Sequence, residues 1–188
     1  EDAKPVSFIE DCAVELKDLA EYTDGLNKIF DKYNVKGTWY AHASVGCLHV
    51  RPVLNMKIQD DVQKMRNIAN ETSSLVKKFN GSYSGEHGDG IARSEFNEVM
   101  FGKQMINIFK FTKNSFDPFN IFNPGKIVDA PKLDSRNLFR YAPSYNAQNI
   151  NTILDWSSWT GASGGFQGAI EMCNNNGSCR KLDGGVMC

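Results

Sequence analysis

The sequence predicts an α+β fold, an antiparallel sheet covered by helices, and three observations predict it. Thr38–His42 and Cys47–Arg51, rich in aromatic and β-branched residues, flank a bendable Ser44-Val45-Gly46 and read as two strands. Val14–Tyr33, the stretch from Asp60 to Phe79, and Glu95–Phe116 have the length or the apolar spacing of helices. Strands and helices alternate with polar loops set apart between them, the order expected of a helical layer on a sheet.

The elements follow in turn. Val6-Ser7-Phe8-Ile9 is a short β-prone run that leads into the first helix, where Leu16, Leu19, Thr23, Leu26, Ile29/Phe30 and Tyr33 recur at helical spacing. Asn34 and Gly37 end that helix before the two strands. The second helical stripe, Val62, Met65, Ala69, Thr72, Val76 and Phe79, is stopped by Asn80-Gly81. Ser84–Gly90, "SGEHGDG", is a loop. The third helix ends before Asp117-Pro118, and "FNPGKIV" (Phe122–Val128) follows it. Residues 1–130 are thus expected to form one domain. Residues 131–150, with prolines, asparagines and "YAPSY" but no periodicity, read as a linker. Residues 151–188 are an irregular tail rich in Gly, Ser and Cys, and they read as the start of a second, truncated module.

Composition narrows the partners. The 188 residues suffice for one good core with a remainder. Lys and Arg number 21 against 22 Asp and Glu, so no basic field invites nucleic acid, and a small molecule or a protein is the expected partner. No apolar run approaches the roughly 18 residues of a transmembrane segment, and Glu1-Asp2-Ala3-Lys4 has no signal-peptide pattern, which predicts a cytoplasmic protein. The absence of an initiator Met and the stop at Cys188 read as a segment cut from a longer chain. Five cysteines, an odd number without a secretion signal, argue against a disulfide framework.

All three histidines fall in two short motifs, His42 and His49 in "HASVGCLH" and His87 in "GEHG". His and carboxylate donors suit zinc, manganese or iron. In a straight strand positions i and i+7 face opposite sides, and in a helix they lie ~10.5 Å apart, too far for one ion. For His42 and His49 to share a metal the chain must therefore bend, and Ser44-Val45-Gly46 is placed to bend it. Beyond the bend, alternation puts Cys47, His49 and Arg51 on one face and Leu48 and Val50 on the other. Glycines at 85, 88 and 90 free the loop to bring Glu86 to the metal while His87 stands beside it as a base. The competing reading is satisfied core histidines and a polar turn. A phosphate cradle is disfavoured, because no Lys-Ser/Thr follows the glycines. Cys173-x5-Cys179-x8-Cys188 is no CxxC zinc pattern; three thiolates fit part of an iron-sulfur set, or are free thiols of the tail.

With these residues in view, the sequence resembles the C-terminal part of the FAD-linked oxidases, a family that includes D-lactate dehydrogenase, the glycolate oxidase flavin subunit and D-2-hydroxyglutarate dehydrogenase. "SGEHGDGIARSEF" (Ser84–Phe96) and "DPFNIFNPGKI" (Asp117–Ile127) carry the resemblance, which runs from about Phe8 to Val128. The tail resembles the junction with an iron-sulfur domain in long members. The resemblance implies a ferredoxin-like antiparallel sheet in a partial substrate or cap domain. It also implies a divalent metal, zinc or manganese, on His42, His49 and Glu86, with His87 as base and Arg51 or Arg93 on a substrate carboxylate. Asn123 and Lys126 would border FAD, itself bound mainly by an N-terminal domain, and Cys173, Cys179 and Cys188 would belong to a 4Fe-4S cluster that passes electrons to an acceptor. The implied activity is oxidation of a small D-2-hydroxy acid, with the isolated segment colourless and inactive. The alternative is a non-catalytic binding or electron-transfer module with a structural metal. One departure is Ser44-Val45-Gly46-Cys47, where many relatives have Gly-Asp-Gly-Asn.

Overall fold

The computed structural model describes residues 2–143, 145–159, 164–173, 177, 180–182 and 184. Residues 3–143 form one compact unit, and Asp2 with the described residues from Tyr145 onward belongs to a second.

The first unit is mixed α/β, built on a four-stranded antiparallel sheet. Its central strand is β4, Cys47–Leu54. Along one edge it pairs with β3, Gly37–His42, in a hairpin that sets Tyr40 opposite His49 and His42 opposite Cys47. β2, Cys12–Ala13, pairs at the Cys47–Leu48 end, and β1, Lys4–Pro5, at the Val53–Leu54 end. α1 (Leu19–Lys32) packs on α2 (Gln59–Lys78), and α2 in turn touches β4 and α4 (Asn97–Phe116). α3 is the single turn Gly90–Arg93. Leu48, Val50 and Leu54 of β4 join Tyr22, Leu26, Ile29 and Phe30 of α1 and Val62, Met65, Ile68, Ala69 and Val76 of α2 in one core.

Three expectations are corrected here. Val6–Ile9 is not a strand: Phe8 and Ile9 are fully buried apolar anchors, and Asp11, at φ 82°, breaks the run before β2 begins. In the first helix the phase differs, because Leu16 lies in a preceding 3₁₀ turn and is exposed, while Tyr22, outside the expected stripe, is wholly buried. The third helix is interrupted at Gly102, whose φ 80° and ψ 160° only glycine adopts readily.

Residues 131–143, expected to open a linker, pack on the first unit. Leu133 is buried, its amide donates to Glu95, and Arg66 grips Glu95 (2.6 Å) and Asp134 (2.5 Å). Aperiodic sequence hides this segment because side-chain pairing to α2, not backbone regularity, holds it. Within the second unit the described residues include a short helix, α5 (Gly165–Glu171), and an edge contact between Trp156 and Phe166. Among the described residues no helix is long and apolar enough to cross a membrane.

Candidate metal centre

The hairpin brings the two distant histidines together. Its turn runs through a 3₁₀ segment, Ala43–Val45, to Gly46 at φ 70°. A Cβ on Gly46 would meet the Val14 carbonyl at 1.9 Å, so only glycine fits this corner. The ladder register then places Tyr40 and His42 on the same face as Cys47, His49 and Arg51. His49 is 1 % exposed, stacked between the rings of Tyr40 (4.7 Å, 21°) and His87 (4.9 Å, 25°), with His42 edge-on at 5.0 Å.

Glu86 arrives from the glycine loop, and the fully buried Asp11 fixes that loop. Its carboxylate accepts the amides of Glu86 and His87, each at 2.8 Å, the Ser84 hydroxyl at 3.3 Å and the Arg93 guanidinium at 3.2 Å. Burial alone would raise the Asp11 pKa; the two amide bonds and the Arg93 charge outweigh it and hold the carboxyl below its usual range. The backbone cages an anion, and the anion in turn dictates where residues 86 and 87 point.

At the centre, three imidazole nitrogens converge on one oxygen. Glu86 Oε1 lies 2.8 Å from His49 Nε2, 3.4 Å from His42 Nε2 and 3.5 Å from His87 Nε2. Two donors each about 2.1 Å from a tetrahedral ion stand roughly 3.4 Å apart; the His42–Glu86 separation of 3.4 Å matches that value, and the His49–Glu86 separation of 2.8 Å is shorter. Among the described residues His49 Nδ1 has no partner, so stacking, not a hydrogen bond to its far nitrogen, orients that ring. Asp11, Cys47, His49 and Glu86 also bring donor atoms within 4.8 Å of one another. Asp11 is already saturated, however, and the Cys47 thiol is pushed up to about 11, first by burial and then by the Asp11 charge. Asp11 and Cys47 are therefore poorer donors than His49 and Glu86.

The remaining expected residues divide. His87 is half-exposed at the centre, with Nδ1 3.1 Å from Glu10 Oε1. Arg51 borders the site, bonded through Nε to Glu10 and through Nη2 to Tyr40 Oη at 3.0 Å. Arg93 does not present itself to a ligand: it is buried, with its nitrogens on Asp11 and on the carbonyls of Glu10 and Gly88. Asn123 and Lys126 line a separate open groove of about 700 Å³ with Gly88, Asp89, Phe109 and Phe122. Cys173 is exposed, whereas Cys179 and Cys188 lie outside the described residues. Sequence reasoning missed Glu10 and Asp11, for which adjacent acids inside the apolar run "FIEDCAV" were the available signal.

The family "FAD linked oxidases, C-terminal domain" matches residues 1–127. A D-2-hydroxyglutarate dehydrogenase of Haemophilus influenzae is 33 % identical over 188 residues, covering 99 % of this chain and 17 % of the relative. One from Escherichia coli is 32 % identical over 182 residues, covering 96 % and 17 %. A glycolate oxidase subunit of Bacillus subtilis is 30 % identical over 124 residues, covering 66 % and 26 %. The chain thus spans about a sixth of the length of the dehydrogenases it resembles.

Proposed function

Because the chain belongs to the C-terminal domain family of the FAD-linked oxidases, we propose that it forms the substrate side of a flavin-dependent D-2-hydroxy acid dehydrogenase. The convergence of His42, His49 and His87 on Glu86 carries this reading. His42, His49 and Glu86 would hold a divalent ion, zinc or manganese, which when bound lowers the pKa of a hydroxyl it polarises. The flavin, held mainly by residues outside this chain, supplies the hydride acceptor.

The chain's own residues do the rest. His87 Nε2, at the same focus as the ligand atoms, takes the hydroxyl proton as the α-hydrogen departs as hydride. Arg51, half-exposed at the rim, has guanidinium protons left for the substrate carboxylate after its bonds to Glu10 and Tyr40. Arg93 serves instead to hold the loop. The relatives named D-2-hydroxyglutarate dehydrogenase match this chain through its Cys-rich tail, whereas the glycolate oxidase match covers two thirds of it. That favours a 2-hydroxyglutarate-type substrate, and Cys173, Cys179 and Cys188 as part of an iron-sulfur relay to the acceptor.

Zinc and manganese affinities of the 188-residue chain and of His42→Ala and Glu86→Ala test the metal: each variant is expected to bind more than about 100-fold more weakly, beyond the 10- to 100-fold typical of supporting groups. Unchanged affinity refutes the ligand set. In the complete flavoenzyme His87→Ala should lower kcat by about 10²-fold or more, and normal turnover refutes the base.

A further inference from the structure

We infer that Glu10 is a positioning residue which fixes the tautomer of His87, an inference that rests on His87 acting as the base. The contact is specific. Glu10 Oε1 lies 3.1 Å from His87 Nδ1, while Oε2 accepts from Arg51 Nε. An ionised carboxylate only accepts hydrogen bonds, so the closer contact, to Glu10 at 3.1 Å against 3.5 Å for Glu86 at Nε2, favours the His87 proton on Nδ1. In the neutral ring this leaves the lone pair on Nε2, the nitrogen that faces Glu86 Oε1 at 3.5 Å and the position where a substrate hydroxyl would lie.

Glu10 is itself held. Its side chain is 12 % exposed, and Arg51 braces it from the sheet. Arg51 Nη2 donates to Tyr40 Oη at 3.0 Å, and Tyr40 stacks on His49. Tyr40, Arg51, Glu10 and His87 therefore form a continuous chain of contacts around the buried His49 ring. The backbone joins in, since the Arg93 guanidinium grips the Glu10 carbonyl while pairing with Asp11. Such a carboxylate–imidazole pair does for a general base what an orienting acid does in a catalytic triad: it sets the tautomer and the ring plane without touching substrate.

The test has two arms. In the 188-residue chain, ring-nitrogen NMR at a pH where the imidazole is neutral should show His87 protonated at Nδ1. Glu10→Ala should shift the proton toward Nε2, and Glu10→Gln, whose single amide oxygen is taken by the donor-only Arg51 so that its NH2 group faces Nδ1, should place the proton on Nε2. Arg51→Ala, which leaves Glu10 in place but unbraced, should give a mixture. An unchanged Nδ1–H in Glu10→Ala overturns the inference. In the complete flavoenzyme, Glu10→Ala should lower kcat roughly 10- to 100-fold with KM changed less than about threefold, and Glu10→Gln should lose at least as much, because its NH2 group favours the tautomer without an Nε2 lone pair. If His87→Ala is inactive but Glu10→Ala turns over normally, the positioning role alone is refuted. If His87→Ala turns over normally, the base reading fails, and with it any catalytic role for Glu10.

Discussion

The two faces of strand β4 share one backbone and almost nothing else. Leu48, Val50 and Leu54 point into the core beneath α1 and α2, where they are at most 7 % exposed. Cys47, His49 and Arg51, on alternate positions, point the other way, toward Asp11, Glu86 and Glu10. Period-two alternation thus lets a single strand serve as both anchor and site. Because the ladder fixes the spacing of Tyr40, His42 and His49, the rigidity of the apolar face is lent to the polar one. The polar face is covered by a loop instead of helices, and the loop depends on one buried anion.

Asp11 is where the two faces are most tightly coupled, so its removal should have the largest effect. Asp11→Ala would leave the buried Arg93 without its carboxylate and two loop amides without their acceptor. Losing one member of a buried pair costs about 3–5 kcal/mol, so chemical denaturation should show a fall of that order. Metal affinity should fall with it, because Glu86 is no longer held against His49. A variant that kept both its stability and its zinc affinity would mean that the loop is set by its glycines alone.

Val50→Ala should separate the faces. Val50 is 1 % exposed and lies between two site residues in sequence, yet touches only the core side. Truncation should cost roughly 2 kcal/mol, at the lower end of the range for large-to-small core changes, while zinc affinity stays within about threefold. If affinity collapsed as well, the ladder would be too compliant to insulate the site. This alternation and the bend at Ser44-Val45-Gly46 were legible from sequence, because each follows from local spacing; the meeting of His42 and His49 with Glu86, far along the chain, was legible only through the family resemblance. Glu10 and Asp11 were not legible as site residues. Their partners in the glycine loop lie more than 70 positions away, and Asp11 acts largely through backbone amides that carry no side-chain signature. Arg93 misled for a related reason: its charge is visible in the sequence, but the burial that turns it inward is a property of the assembled loop.

The smallest effect is expected far from both faces, where Asp134 ties residues 131–143 to Arg66. The Arg66 hydrogen bond and charge hold the Asp134 pKa below its ordinary value. A carboxyl with a depressed folded-state pKa adds stability that is complete above its unfolded pKa of about 3.9 and is lost as the pH falls through the lower, folded value. Asp134 remains partly solvated, so the pair is worth under about 1 kcal/mol. The stability gap between wild type and Asp134→Asn should therefore be of that size at pH 7 and close as the pH drops below about 4. A gap that persisted unchanged into acid would place the contribution in packing or neutral hydrogen bonding, and the segment would be held to α2 by Leu133 more than by charge.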